Sequence, residues 1–223
     1  MSLGDIIFLG FALVSIGFVL RGLYLLLRRR WRRAGLNFAV LLALGVVYCA
    51  ALVTAALVGG QRVAKLGERL RFDDWCIAVE KAATRGEIGG VSAPAGTRFW
   101  LVTVEVSSEA RRVAQRETNV WIYLVDAKGN RYLADPAGQP ALEQEGAAGP
   151  ALTSRLQPGE SFEHTEAFAI PVEAQGLGAV VAHAWFPGAL IIGGSESVFH
   201  QPTITPLTPA GETEPASGKA SVR

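Results

Sequence analysis

The chain has 223 residues, with 21 Lys and Arg against 20 Asp and Glu. A net charge of +1 gives no global basic field to attract nucleic acid. Half of the residues are hydrophobic and crowd into the first quarter, leaving room for a membrane anchor and one domain of ordinary size. Cys49 lies in an apolar run and Cys76 beyond it, a placement that speaks against a disulfide-stapled domain.

The first apolar run covers residues 5–27. Ile6–Leu20 carries no charge, and the run resumes after Arg21. At about 1.5 Å per residue, such a helix crosses a hydrocarbon core of about 30 Å. Arg21 sits near the basic end, where its stem can reach toward the headgroups. A cleaved signal peptide fits poorly, because Met1–Asp5 holds no basic residue and the apolar segment is too long for a signal core.

Next comes Arg28-Arg29-Arg30-Trp31-Arg32-Arg33, five arginines in six residues. A second apolar run follows over residues 35–59. The two spans predict a transmembrane hairpin over residues 1–60. Short loops rich in Lys and Arg stay in the cytoplasm. The competing cations Arg62, Lys65, Arg69 and Arg71 are diluted by Glu68 and spread out. This predicts a multi-pass protein of a bacterial inner membrane, with the N-terminus and the C-terminal domain outside the cytoplasm. For Arg28, Arg29, Arg30, Arg32 and Arg33 the simplest role is topological; docking on lipid phosphate is the alternative.

Leu36–Val58 contains Asn37 at its start, then Tyr48, Cys49 and Thr54 as polar or semi-polar side chains. Ala39, Ala43, Ala50 and Thr54 recur at helical spacing. Gly10 and Gly17 share a face of the first span. Small residues let helix backbones approach closely in lipid. Part of this stripe is therefore expected against the first helix, with the rest open to a partner helix.

Gln61–Arg71 carries Val63, Leu66 and Leu70 at near-helical spacing, which predicts a short helical stalk or an interfacial segment. From Phe72 the period changes to two. Cys76–Ala82 reads as a short strand, and residues 86–96 as a loop. Arg98–Ser107 is the strongest strand, with Trp100, Val102, Val104 and Val106 on one face. Asn119–Val125 is apolar on both faces, as a central strand would be. Asp126–Asn130 is a tight turn in which Gly129 suits positive φ, and Arg131–Ala134 returns from it. Residues 135–150 read as a long loop and Leu156–Glu160 as a turn. Ser161–Ile170, Ala179–Phe186 and a strand within Ser197–Thr205 complete the set. Residues 207–223 lack apolar periodicity and read as a disordered tail. With no convincing helix between the strands, residues 72–206 are expected to form an antiparallel all-β sandwich.

Four segments occur in one order: Gly96-Thr-Arg-Phe-Trp-Leu-Val-Thr-Val-Glu-Val106, Leu124-Val-Asp-Ala-Lys-Gly-Asn-Arg-Tyr132, Leu156-Gln-Pro-Gly-Glu160 and Ala167-Phe-Ala-Ile-Pro171. Over about residues 72–206 this resembles a family of immunoglobulin-like bacterial envelope domains of unknown function, carried by lipoproteins and membrane-anchored proteins. That family has an Asn just after the strong strand, where this chain has Ser107-Ser108. The resemblance implies an immunoglobulin-like sandwich and carries over no catalytic residue.

A two-helix hairpin before an external β domain also resembles the layout of the copper-bearing second subunit of haem-copper oxidases. A dinuclear copper site needs two close thiolates with His and Met ligands. This domain has Cys76 alone, and Met1 is the chain's single methionine. His164, His183 and His200 lie in different expected strands without short ligand spacing, and surface or edge positions are expected for them. Phe162, His164, Glu166 and Phe168 share parity, which predicts a bulge or an exposed strand end ahead of a His–Glu catalytic pair. Asp73-Asp74 reads as a solvated cap, with cation binding as the alternative. Cys76 reads as a buried small apolar residue, with a reactive thiol as the alternative that exposure decides. Nucleophile-elbow, phosphate-loop and dinucleotide motifs are missing from the sequence.

These features predict a non-catalytic binding module of the cell envelope, without a cofactor, whose partners are the lipid bilayer and another envelope or membrane protein. The rival reading is an accessory subunit of a membrane complex in which the hairpin is the functional part. A third is an enzyme or metal carrier using Cys76 or the histidines.

Overall fold

The computed structural model describes residues 3–72, 74–183, 186–192, 197 and 201–208. Asp73, His200 and the expected tail from residue 209 onward lie outside them. The chain divides into two units, Met1–Arg62 with Ala184–Pro202, and Val63–His183 with Thr203–Arg223.

The first unit begins with two long apolar helices, α1 (Leu3–Leu27) and α2 (Trp31–Val58). At 1.5 Å per residue they are about 38 and 42 Å long. Their outward sides are apolar and exposed, with Leu13, Leu20, Leu42 and Val46 each more than half exposed. The chain does not continue α2 into a helical stalk. The Gly59 amide closes the helix on the Ala55 carbonyl, and Gly59-Gly60 lets the backbone leave it.

From Val63 onward the connector belongs instead to the second unit. Val63 bridges Ile204 and the Ala64 amide donates to the Ile204 carbonyl. Residues 69–72 form strand β1 (Arg69–Phe72), with Leu70 buried and Arg69 and Arg71 turned out. The near-helical spacing of Val63, Leu66 and Leu70 is thus overridden by the period-2 alternation around Leu70, which fits a sheet with one buried face.

β1 is followed by β2 (Trp75–Arg85), β3 (Glu87–Ile88), β4 (Val91–Ser92), β5 (Thr97–Ser108), β6 (Val120–Val125), β7 (Arg131–Tyr132), helix α3 (Gly138–Gln144), β8 (Ser161–Pro171) and β9 (Gly178–His183). After β9 comes the short helix α4 (Phe186–Ala189), part of the first unit, and then β10 (Thr205–Pro206). One antiparallel sheet runs β1-β2-β5-β8 and a second runs β10-β9-β6-β7. Their inner faces share one core, in which Trp75, Ile77, Val102, Val104, Val106, Phe168 and Ile170 of the first sheet meet Ile122, Leu124, Ala179 and Val181 of the second. The unit is a β-sandwich.

Strand β5 sits between β2 and β8 and is buried on both faces. Trp100, Val102, Val104 and Val106 enter the shared core as expected, while Phe99 and Leu101 enter a smaller cluster with Ile88, Leu142 and Ala167. That second face overturns two loop expectations. Within residues 86–96, β3 and β4 form a hairpin turned by Gly89 and Gly90 at φ 55° and 79°. Within residues 135–150, α3 lays Ala141 and Leu142 on the outer face. Pro140 is tolerated because it falls in the first helical turn, where its missing N–H has no intrahelical partner.

The α3 segment also covers the free edge of β8. The Asp135 amide donates to the Ala167 carbonyl, the Thr165 amide to the Ala148 carbonyl, and the Ala167 amide to Gln139 Oε1. β8 pairs with β5 without a break from Ser161 to Pro171, so of the two alternatives the bulge is not there, while Ser161 and Glu163 at the start of β8 are exposed; the irregularity falls in β2, between Val79 and Lys81. Among the described residues, β9 covers Gly178–His183, Phe186 lies in α4 instead of at the end of that strand, and β10 covers Thr205–Pro206. Leu207, assigned to the tail by its sequence context, is buried in the core and bonded to the Leu177 carbonyl.

Candidate functional site

The tip of the hairpin is built by local backbone chemistry. The Arg30 amide donates to the Leu25 carbonyl at 2.9 Å and the Arg29 amide to the Leu26 carbonyl at 2.8 Å. Arg29 takes φ 55°. This is a Schellman closure with an arginine where glycine is favoured. Arg28–Arg30 face the negative end of the α1 dipole, a favourable placement. Arg32 and Arg33 occupy the first turn of α2, whose positive end they oppose. Arg28, Arg29, Arg30, Trp31, Arg32 and Arg33 are all exposed. The Arg28 guanidinium lies 5.5 Å from the Tyr24 ring centroid. Tyr24 and Trp31 thus flank the arginines with aromatic rings, a pairing suited to a headgroup region.

The seam between the helices is made by residues that sequence spacing did not single out. Gly22 is buried against Phe38, and a Cβ there would lie 2.5 Å from the ring. Asn37 donates from Nδ2 to the Phe18 carbonyl at 2.7 Å. Higher up, Phe11 stacks on Tyr48 with centroids 4.2 Å apart. Gly10, Gly17, Ala39, Ala43, Ala50 and Thr54 are exposed on the remaining faces, and a Cβ on Gly10 or Gly17 would meet nothing within 4 Å. Bulky Phe38 demands a missing side chain opposite it, so the glycine in the seam is Gly22. A search for Gly opposite a large aromatic at the loop-proximal end would have found it.

In the sandwich unit, Asp126 organises the β6–β7 turn. Its Oδ1 accepts the amides of Lys128 and Asn130, both at 2.9 Å; its Oδ2 accepts Asn130 Nδ2 at 2.8 Å and the Tyr132 hydroxyl at 2.9 Å. The Asn130 side chain above all, with the Asn130 amide, Tyr132 and Lys128, holds the carboxyl at about 2 against the pull of burial. Burial, and then the Asp126 carboxylate, pushes the Tyr132 hydroxyl up. With four donors on its two oxygens, Asp126 is a structural anion and a poor base. Beside it lies a shallow cavity of about 340 Å³ lined by Lys128, Tyr132, Glu173 and Gln175 among others. Another cavity, of about 330 Å³, is lined by Arg116, Thr153, Ser154 and Arg155; Arg116 Nε donates to the Thr153 carbonyl at 3.0 Å.

Cys76 is 1% exposed. Burial, then the Glu109 carboxylate, pushes its thiol up, away from the thiolate a reactive cysteine needs. His164 lies on β8, an edge strand of its sheet, in keeping with the edge position expected of it, but neither it nor His183 is exposed at the surface. His164 is buried, with Nδ1 2.8 Å from the Pro150 carbonyl oxygen and Nε2 3.6 Å from Glu166. His183 Nε2 lies 3.0 Å from Glu117, and Phe72 packs on its ring. Both parities of β8 are covered because α3 and the second sheet occupy opposite faces, a packing the alternation of residues 162–168 cannot reveal. Among the described residues, Cys76, His164 and His183 are not brought together in any group able to hold a metal ion.

No protein-family model matches the chain, and no curated protein matches it. Solved structures do resemble part of it. A conserved hypothetical protein from Bacillus anthracis is 17% identical, with 52% of this chain and 88% of the other aligned at a TM-score of 0.44. The secreted protein MPT63 from Mycobacterium tuberculosis is 15% identical over 57% of this chain and 92% of its own, at a TM-score of 0.39. An uncharacterised β-sandwich protein from Clostridium difficile is 9% identical over 67% of this chain and 95% of its own, at 0.40.

Proposed function

We propose that the protein is a membrane-anchored, extracytoplasmic immunoglobulin-like binding module of the bacterial cell envelope, non-catalytic, with the inner membrane and another envelope protein as its partners. The observation that carries the anchor is the pair of helices whose outward faces are apolar and exposed along lengths that match a bilayer. In water such a surface would exceed what a soluble monomer tolerates; lipid covers it at no cost. The arginine tip supports an orientation with the loop in the cytoplasm and the sandwich outside. The strand order supports the immunoglobulin-like assignment. Taking β2, β5, β6, β7, β8, β9 and β10 as A, B, C, C′, E, F and G places A-B-E in one sheet and G-F-C-C′ in the other.

Protease added to cells whose outer membrane has been permeabilised should remove the sandwich and spare the hairpin. Degradation only after the inner membrane is opened would invert the orientation. The binding role is tested by fusing residues 63–223 to an unrelated anchor, then crosslinking in native membranes: the same partner should be captured. The second reading, an accessory subunit acting through its hairpin, is favoured by one observation. The small residues Gly10, Gly17, Ala39, Ala43, Ala50 and Thr54 lie on exposed helix faces, where a partner helix could approach. Capture that survives deletion of the sandwich but not exchange of the hairpin would select it.

A further inference from the structure

The connection between β9 and β10 is far longer than the sandwich needs. The two strands are hydrogen-bonded neighbours, yet 21 residues, 184–204, separate them. Its first part, Ala184-Trp-Phe-Pro-Gly-Ala-Leu-Ile-Ile192, holds no charged side chain. The described portion belongs to the helix unit. There the Tyr48 hydroxyl donates to the Leu190 carbonyl at 2.6 Å, and the Ile191 amide closes a turn on the Gly188 carbonyl at 3.1 Å. Tyr48 lies ten residues before the end of α2 at Val58. At 1.5 Å per residue that is about 15 Å along the axis, roughly the depth of one leaflet's hydrocarbon.

We infer that residues 186–192 form a re-entrant segment that lies in the outer leaflet against α2, with lipid acyl chains as its partner. This rests on the anchor reading given above. Non-helical backbone survives at that depth only where its polar groups find partners within the protein. The Leu190 carbonyl has one in the Tyr48 hydroxyl. That hydroxyl would otherwise be an unpaired donor in hydrocarbon, and stacking of Phe11 on the ring holds it in place. Leu190, Ile191 and Ile192 remain partly exposed beside the helix, and in this setting the surface they meet is lipid.

The experiment uses the full chain with Cys49→Ala and Cys76→Ala and one new cysteine at a time: Leu190→Cys, Ile191→Cys, Val46→Cys on the exposed face of α2, and Arg98→Cys on the sandwich. A charged, membrane-impermeant maleimide is applied to outer-membrane-permeabilised cells, and labelling after denaturation confirms that each thiol is intact. Positions 190 and 191 should label on the order of a hundredfold more slowly than position 98, as position 46 should, because a charged reagent is excluded from hydrocarbon. Fast labelling at 190 and 191 with protection at 46 would overturn the inference and leave the anchor standing. Fast labelling at 46 would overturn the anchor itself. Protection by protein rather than lipid is separated by a fluorophore at position 191 in vesicles with brominated acyl chains. Quenching is expected, and its absence would also overturn the inference.

Discussion

Gly22 and Asp126 show how much a single position carries. A side chain at Gly22 must displace the Phe38 ring, whereas one at Gly17 enters open space. Gly22→Leu should therefore destabilise the hairpin by about 1–3 kcal/mol, the usual cost of overpacking, and Gly17→Leu should leave its thermal unfolding in detergent nearly unchanged. Equal melting of the two variants would remove Gly22 from the seam. For Asp126, the native value of about 2 lies below the ordinary 3.8. Folding therefore favours the ionised form. The stabilisation is complete above about pH 4 and is lost as pH falls from there toward 2. Asp126→Asn should lower the melting temperature at pH 7 and lessen the loss of stability between pH 4 and 2. Parallel wild-type and mutant profiles across that window would contradict the network. The turn itself was legible in Asp126-Ala-Lys-Gly-Asn130, since Asp at the start and Gly near the end are turn chemistry. The role of Tyr132 as a fourth donor was not, because it depends on how β7 returns.

Among the elements, α3 is the instructive one. Its Gly, Pro and Ala content reads as a breaker-rich loop, and in isolation seven residues would not hold a helix. It forms because Phe99 and Leu101 present an apolar face with nothing else to cover it, and because β8 has an edge to satisfy. Gln139 couples the two by accepting the Ala167 amide at 2.9 Å. Gln139→Ala should leave that amide without its partner, at about 1–3 kcal/mol. Hydrogen exchange at Ala167 should accelerate, while exchange in the interior of β5 stays close to that of the parent. Unchanged protection at Ala167 would show that the edge is closed by something other than this side chain. Edge cover of this kind also limits strand addition by foreign chains, a recurrent hazard of sandwiches.

At the scale of the whole molecule, the boundary between the helix unit and the sandwich decides what can fold alone. Sequence periodicity places it after Arg71, but Ala64 and Leu70 are core residues and β1 pairs along β2. A soluble protein starting at Val63, with residues 184–202 replaced by a short turn between β9 and β10, should be monomeric and β-rich by circular dichroism. Starting at Phe72 should lower its stability by about 2 kcal/mol or more, since a buried leucine is lost together with an edge strand. If the two proteins melt together, β1 lies outside the cooperative unit.

The apolar runs, the arginine tip, the alternation of residues 98–107 and the turn at residues 126–130 were decided by the sequence alone. Each depends on a residue's own chemistry and on neighbours within one helical turn or one hairpin. The tertiary structure decided what depends on distant partners. Phe38 picks out Gly22 as the seam, and Ile204 draws Val63 and Ala64 into the sandwich. The outer face of β5 turns a breaker-rich loop into α3. Tyr48 reaches Leu190 across 142 residues of chain. Periodicity reports which face of an element is apolar; which surface covers that face is set by packing between segments whose separation no local pattern encodes.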